Sequence, residues 1–206
     1  MTEKIILIGG GGHCRSCIDV IEAEGRFSIA GIIDAPDRRG ETVLGYPVIG
    51  SDDDLPRLCG RGGKFLVTVG QIKSPDTRIR LFERIVELGG RLPSIVSPRA
   101  HVSRSARIGE GTIVMHRAVV NASGSVGANC IVNTGALLEH DVVVADHSHI
   151  ATTVTLNGGV RVGARTFVGS GSVTREAIEI GSDCVIGCGL RILRSVPDGT
   201  LRTTSD

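Results

Sequence analysis

The hydrophobic positions of the chain follow two different periods, and the change comes near residue 95. Before it, short apolar runs alternate with amphipathic segments. The runs at 4–8, 28–33 and 64–69 predict strands, and the segments at 13–24 and 75–88 predict helices that end at glycines. A short acidic helix is expected from Asp52, with Ser51 as its cap, and a loop between 34 and 50. This alternation predicts a small parallel sheet covered by helices.

From Val96 onward, one position in six is aliphatic. Seventeen such positions keep one register as far as Ile192, and sixteen of them are Val, Ile or Leu, with Thr174 as the exception. Gly or Asn often follows the aliphatic residue, and a small residue often lies four places after it. This period fits a solenoid with three short faces per coil, in which the aliphatic residues stack along the axis at eighteen-residue intervals. The hexads make nearly six coils.

Together, the two periods divide the chain. We predict a Rossmann-like α/β domain over residues 1–95, an all-β parallel solenoid over 96–196 and a tail over 197–206. A solenoid by itself gives a fold and no reaction.

Composition and charge narrow the range of possible functions. The 206 residues carry 23 Lys and Arg against 22 Asp and Glu, and aromatic residues make up 2%. Neither a basic surface nor stacking platforms for nucleic acid are expected from such a chain. No apolar run approaches the roughly 18 residues of a membrane span. Six cysteines without a secretion signal predict reduced thiols and a cytoplasmic protein.

A glycine run, Gly9–Gly12, separates the first strand from the first helix. Backbone N–H groups in such a turn can approach phosphate oxygens, and the helix dipole favours their charge. Asp34 follows about twenty residues later, where an acid can bind a ribose hydroxyl. Cys14 stands where the dinucleotide fingerprint has its third glycine, and residues 1–95 leave no room for a second mononucleotide half. A nucleotide is therefore expected rather than NAD; the alternative is a purely structural turn.

Among six histidines, His140 stands out because Glu139 and Asp141 flank it. A histidine oriented by a carboxylate is a suitable general base. Zinc catalysis on a β-helix needs a histidine pair with the spacing H-x4-H, and the sequence contains none, so no metal is expected. Cys14 and Cys17 have redox spacing, but packing is the favoured interpretation.

The turn Gly9–His13, followed by a hexapeptide solenoid that contains Asn133–His149 (NTGALLEHDVVVADHSH), resembles the bacterial nucleotide-sugar acetyltransferases of the PglD/NeuD type. The resemblance covers residues 4 to about 190. It implies a left-handed β-helix and acetyl-CoA-dependent N-acetylation of a nucleotide-linked amino sugar, by direct transfer in a ternary complex. A UDP-linked 4-amino-4,6-dideoxy hexose is the first expectation. Sugar O-acetylation of the sialic-acid type and a GDP-linked amino sugar are close alternatives, and a silent nucleotide-sugar-binding module is a more distant one.

The resemblance also implies residue roles. His140 would be the base and Asp141 its orienting acid. The nucleotide sugar would contact Gly11, Gly12, His13, Asp34 and Gly70, and acetyl-CoA would contact Asn133, His149, Gly158, Ser170 and Cys188. His147 is expected at the surface. A homotrimer is implied, with acetyl-CoA between adjacent β-helices.

Three departures from the family pattern affect these expectations. Asp34-Ala35 stands where the family often has two acids, and Asp141 stands where some members have Glu. The Gly-x-Pro-Ala turn that helps to clamp CoA in the family does not follow Val196–Gly199.

Overall fold

The computed structural model describes residues 2–72 and 74–205. The N-terminal part holds one sheet, in the strand order β3-β4-β2-β1-β5. Its strands are β1 (Glu3–Ile8), β2 (Phe27–Ile33), β3 (Thr42–Val43), β4 (Tyr46–Gly50) and β5 (Phe65–Val67), and its helices are α1 (Gly12–Glu24), α2 (Leu55–Cys59) and α3 (Asp76–Glu87). Two 3₁₀ turns lie at Pro36–Arg38 and Asp52–Asp54.

The interior strand β1 pairs in parallel with β2 and with β5. Its side chains alternate between the two faces of the sheet, as a strand requires. Ile5 and Leu7 pack with α1, whereas Ile6 and Ile8 pack with α2 and α3. The two helices that follow β1 and β5 therefore lie on opposite faces, and this places a crevice at the carboxyl ends of these two strands.

The loop predicted between 34 and 50 is wrong in part, because β3 and β4 form an antiparallel hairpin there. Its turn is Leu44-Gly45, and both residues have positive φ, 49° and 84°. Strand β3 is only two residues long and Pro47 lies within β4, so the period-2 signal was too weak to read. The sheet is consequently mixed rather than parallel.

The rest of the chain forms a three-faced parallel solenoid. Within the described residues, face A consists of His101–Val102, Val119–Val120, Leu137–Leu138, Thr155–Leu156, Val173–Thr174 and Arg191–Ile192. Face B consists of Arg107–Ile108, Ser125–Val126, Val143–Val144, Arg161–Val162 and Glu179–Ile180. Face C consists of Ile95–Val96, Ile113–Val114, Ile131–Val132, His149–Ile150, Phe167–Val168, Val185–Ile186 and Leu201–Arg202.

The hexad positions fill the solenoid axis as the period predicts. From Val114 to Ile192 they are at most 2% exposed, and Thr174 is included. A second interior column repeats every eighteen residues: Thr112, Cys130, Ser148, Thr166 and Cys184. Each of these side chains donates a hydrogen bond to a backbone carbonyl in the next coil, as Thr166 does to Gly181 at 2.7 Å. The polar atoms of the narrow interior are thereby satisfied.

The α/β domain sits across the first coils of face C. The outward-facing Ile95, Ile113 and Ile131 pack into the core formed with α1. On the edge between faces C and A, His116 lies 2.7 Å from Asp19 of α1. On the edge between faces B and C, Asn129 contacts Arg78 of α3. The α/β domain thus contacts face C and both edges that flank it.

The solenoid strands begin at Ile95–Val96, and Leu201–Arg202, within the expected tail, pairs with Val185–Ile186. The three-part division at residues 95 and 196 stays a prediction. No helix among the described residues is both long and apolar enough to cross a bilayer.

Candidate functional site

The glycine turn connects β1 to α1, and its four glycines differ in what surrounds them. A Cβ at Gly9 would lie 2.5 Å from Val69 Cγ2, and one at Gly10 would lie 2.8 Å from Asp34 Oδ2. Apart from the adjoining backbone, no atom of the described residues lies within 4 Å of that position at Gly11 or Gly12, and neither glycine has a positive φ. The packing of the protein itself explains glycine at the first two positions and leaves open space at the last two.

The carboxylate of Asp34 supports this turn. It accepts the N–H of Gly10 at 2.7 Å and the N–H of Ala35 at 2.8 Å, and it pairs with Arg38. Beside it, a cleft of about 440 Å³ opens at the carboxyl ends of β1 and β2 and beneath the first turns of α3. Polar lining comes from Asp34, Asp53 and Arg80. This is the crevice where open α/β sheets bind their ligands.

His13, Gly70, Asn133 and His149 gather at the boundary between the α/β domain and face C. A Cβ at Gly70 would lie 3.6 Å from His13 Cβ, and the rings of His13 and His149 have centroids 6.4 Å apart. His149 is buried; its Nδ1–H donates to the Gln71 carbonyl at 2.8 Å, and its Nε2 accepts from Asn133 Nδ2 at 3.2 Å. Both ring nitrogens of His149 are therefore engaged within the protein.

These two histidines are held neutral. Burial, reinforced by the charge of Arg78, lowers the pKa of His13 to about 3. Burial also lowers the pKa of His149 to about 4, against the raising effect of its bond to Gln71. Among the described residues, neither the enclosed Nε2 of His13 nor the enclosed Oε1 of Gln71 has a hydrogen-bond partner. A neutral imidazole offers no cation to a phosphate, so His13 suits an uncharged partner.

His140 and Asp141 lie on the edge between faces A and B. The side chain of His140 is 65% exposed, and its Nδ1 lies 2.9 Å from Asp141 Oδ2. Because a carboxylate accepts and does not donate, Nδ1 carries the proton, and Nε2 presents its lone pair to solvent. Asp141 has φ 61°, and its N–H donates to the Ala122 carbonyl. This hydrogen bond to the preceding coil thus fixes the backbone from which the side chains of His140 and Asp141 project.

Of the remaining predicted acetyl-CoA contacts, Gly158 lies beneath His140. A Cβ at Gly158 would come 2.6 Å from both Cε1 and Nε2 of that ring. Ser170 and Cys188 are exposed and stand one coil apart on the edge between faces C and A.

The predicted residues therefore form two groups. The first contains the glycine turn, His13, Gly70, Asn133 and His149, and Ser170 and Cys188 lie farther along its edge. The second contains His140, Asp141 and Gly158. Face A separates the two edges, and at about 3.3 Å per residue a six-residue side spans up to ~20 Å. No contact joins the groups within residues 2–72 and 74–205.

Several other clusters carry no site. Ser97 Oγ, His116 and Asp19 are connected like a hydrolase triad, with distances of 2.5 and 2.7 Å. Ser97 is 1% exposed, so no substrate reaches it, and the three residues link α1 to the solenoid. Cys14 and Cys17 are buried, and burial raises the pKa of each thiol. In the described parts of the chain, no three His, Cys, Asp or Glu side chains are placed to hold a metal ion.

The structure also corrects one expectation and adds two residues. His147, expected at the surface, is half-buried against Phe82, with ring centroids 5.5 Å apart, because α3 covers its corner. Arg78 and Gln71 were missed. A charged residue on the apolar face of α3, three and four places before Leu81 and Phe82, is the signal that points to Arg78.

Comparisons with known proteins agree with this arrangement. Residues 4–85 match the model of the PglD N-terminal domain. Perosamine N-acetyltransferase from Caulobacter crescentus, in complex with CoA and GDP-perosamine, is 35% identical; the match covers 98% of this chain and 93% of that one, with a TM-score of 0.90. The acetyltransferase domain of PglB from Neisseria gonorrhoeae, in complex with acetyl coenzyme A, is 33% identical over 97% of this chain and 95% of that one, with a TM-score of 0.88. WeeI from Acinetobacter baumannii, at 17% identity and a TM-score of 0.64, shares the fold.

These matches confirm the predicted fold class, an α/β domain followed by a left-handed parallel β-helix. The chain belongs to the nucleotide-sugar acetyltransferases of the PglD/NeuD type.

Proposed function

We propose that this protein transfers the acetyl group of acetyl-CoA to the amino group of a nucleotide-linked amino sugar, with His140 as the general base. The observation that carries the proposal is the bond between His140 Nδ1 and Asp141. It fixes the tautomer and leaves Nε2 free to take a proton. The relatives crystallised with CoA, acetyl-CoA and GDP-perosamine support the donor and the class of acceptor.

In this mechanism, the neutral amine nitrogen forms a bond to the thioester carbonyl carbon, and Nε2 of His140 accepts the proton that the nitrogen loses as this bond forms. The carbon–sulfur bond breaks as the tetrahedral intermediate collapses. The thiolate of CoA leaves and takes up the proton. Asp141 stabilises the imidazolium that forms in between, and Gly158 leaves room for the ring above it.

The nucleotide diphosphate is assigned to Gly11 and Gly12. The N-terminus of α1 lacks a side-chain cap and has no acid in its first turn, so its N–H groups and dipole are available to an anion. The open space at both glycines supports close approach of phosphate oxygens to the backbone. The adjoining cleft of about 440 Å³ is assigned to the base and ribose.

A homotrimer is part of this proposal. His140 lies one solenoid face away from the residues assigned to the nucleotide sugar, so one chain alone does not bring the amine to the base. A neighbouring β-helix packed against face A would bring its own His140 to the edge that carries Ser170 and Cys188. Light scattering tests this point: a monomer that turns over at full rate would contradict it.

The decisive experiment mixes the protein with acetyl-CoA and a panel of UDP- and GDP-linked amino sugars, and follows free thiol and the mass of the product. Transfer to an amino group is expected. The family resemblance makes UDP the first expectation, and the GDP-linked substrate of one relative makes GDP the matched comparison. Acetylation of hydroxyl sugars at a higher rate, or no transfer to any nucleotide amino sugar, would contradict the proposal.

A further inference from the structure

Arg78 is the largest fully buried side chain of the molecule's described part, with 1% of it exposed. It lies on α3 and has no ion pair with an acid among residues 2–72 and 74–205. A buried charge without a counterion is costly unless hydrogen bonds replace its hydration. What holds Arg78 in place therefore has to be found among neutral acceptors.

Those acceptors lie on both sides of the domain boundary. Nη1 donates to the carbonyls of Val69 at 2.6 Å and Val67 at 3.3 Å, at the end of β5. Nη2 donates to the carbonyl and the side-chain oxygen of Asn129, at 2.9 and 3.0 Å, on the edge of the solenoid. One guanidinium thus joins the segment after β5 to the β-helix.

A second side chain holds the same segment from the solenoid. His149 donates to the carbonyl of Gln71, two residues after Val69. Between these two anchor points lies Gly70, which faces His13. The segment Val69–Gln71 is therefore fixed at both ends, beside the glycine turn, by residues that belong to opposite sides of the boundary.

Asn129 is well placed to hold Arg78 at the domain boundary. It is fully buried, it has φ 51°, and its Nδ2 also donates to the Arg78 carbonyl and meets His147 Nδ1 at 3.0 Å. Along the same edge, His147 of the next coil is half-buried, and Arg165 and Asp183 of the following coils are exposed. The corner at Asn129 is buried because α3 docks there.

We propose that Arg78 is a positioning residue for the nucleotide sugar, which anchors the segment Val69–Gln71 to the solenoid corner at Asn129. This inference rests on the proposed function. It assigns to Arg78 the alignment of the sugar relative to the β-helix rather than any contact with the reacting atoms. The charge of Arg78 further lowers the pKa values of His13 and His149, beyond the effect of their burial, and so keeps both rings neutral beside the segment.

The test compares Arg78→Met, Arg78→Lys and Arg84→Met in the full chain. Arg84 lies on the same helix, is exposed and pairs with Glu87, so it is the matched control. For Arg78→Met, we expect the KM for the nucleotide sugar to rise about ten-fold or more, because charged hydrogen bonds that fix the segment are lost. CoA affinity by calorimetry should stay within about two-fold of the wild type. Arg78→Lys should fall between, because an ammonium cannot span both partners as the planar fork does.

Hydrogen exchange followed by mass spectrometry provides a readout that does not depend on catalysis. In Arg78→Met, exchange should accelerate in peptides over 66–72 and 127–131, and the later coils should remain protected. An unchanged KM together with unchanged exchange would overturn the proposal. A parallel loss of CoA affinity and of protection throughout the solenoid would also overturn it, since that result indicates a role in global stability.

If Arg78→Met does not fold, the variant Asn129→Gly tests the proposal in its place. Glycine accepts the positive φ of this corner and removes the side-chain oxygen, so the loss is local. A KM increase of about three-fold, with faster exchange in the same two peptides, is expected. Wild-type values in both measurements would refute the inference. Absence of acetyl transfer in the wild type would instead refute the proposed function. The exchange experiment would still test whether Arg78 anchors the segment Val69–Gln71 to the β-helix.

Discussion

The α/β domain and the β-helix build their interiors by different rules. In the β-helix, the same requirement returns every six residues, and each hexad position from Val114 to Ile192 is buried. In the α/β domain, each buried residue packs against its own particular neighbours. Arg78 can occupy an apolar face because its guanidinium hydrogen-bonds Asn129, which lies opposite. A repeating rule makes departures visible, whereas a domain without a repeat shows its special residues through their contacts.

The same contrast applies to the candidate site. On the solenoid, His140 lies at a corner, where the hexad rule makes no demand on its side chain. In the α/β domain, Gly11 and Gly12 are notable because no packing in the chain requires them. In both regions, the residues assigned to function are those that the fold itself leaves unexplained.

Replacing His140 by Ala tests the solenoid side of the comparison and should have the largest effect. Loss of a general base should lower kcat by about 10²–10⁴-fold. Because the side chain is 65% exposed, the melting temperature should hardly change. Steady-state kinetics with saturating acetyl-CoA measures this, and Arg107→Ala, on an exposed position of face B, is the control. A kcat near the wild-type value would remove His140 from the role of base.

Gly12→Val tests the part of the comparison that concerns the α/β domain. A branched side chain would fill the space assigned to the phosphates, so the KM for the nucleotide sugar should rise about 10- to 100-fold. CoA affinity should not change, because its residues lie on the β-helix. Calorimetry with each ligand separately distinguishes the two sites. If neither affinity fell in the folded variant, the glycine run would be a structural turn, and the nucleotide would bind elsewhere.

Lowering the pH tests the boundary between the two regions. The pKa of His149 is about 4 in the folded protein and near its ordinary value of 6.5 when unfolded, so the unfolded state binds its proton first. The contribution to stability is complete above pH 6.5 and is lost as the pH falls toward 4. Between pH 7 and pH 5, the free energy of unfolding should drop by about 2 kcal/mol more in the wild type than in His149→Gln. Urea unfolding at the two pH values measures this. Equal drops in both proteins would show that His149 is not held neutral.

Thr166→Val sharpens the comparison within the solenoid. It keeps the shape of the interior and removes the bonds to the Gly181 carbonyl and the Cys184 N–H. A loss of about 1–2 kcal/mol of unfolding free energy is expected. The matched control is Thr42→Val, at an exposed position of β3, where the change should stay within about 0.5 kcal/mol. Similar effects at both positions would mean that the interior column contributes no more than surface threonines.

The sequence predicted the solenoid well because its repeat states the same packing rule many times over. In α3, Val86 lies four residues after Phe82, on the side where the helical period favours burial, yet 47% of it is exposed and Arg78 is buried instead. That exchange depends on the solenoid, which covers α3 from a direction that no local period encodes. The Ser97–His116–Asp19 link has the same origin, since its members are far apart in sequence and meet when the domain docks.

The contacts that the candidate groups make outside the repeat were not predictable either. The hexad register places His140 at a corner, but it does not say which neighbouring surface would face that corner. Asn133 and His149 meet at 3.2 Å, in neighbouring coils as the eighteen-residue coil would suggest, while the bond from His149 to Gln71 required the docked α/β domain. Contacts within the repeat follow from counting residues, and contacts across the boundary do not.

The interior column of Thr112, Cys130, Ser148, Thr166 and Cys184 has a consequence for how such a chain can change in length. A deletion of one or two residues inside a hexad would turn this column outward for every later coil, and would expose the aliphatic stack with it. Deletions and duplications of eighteen residues would preserve both columns, and shorter insertions would be tolerated as loops at a corner. Lineages of this protein should therefore differ in length by whole coils, with irregular additions confined to the three edges.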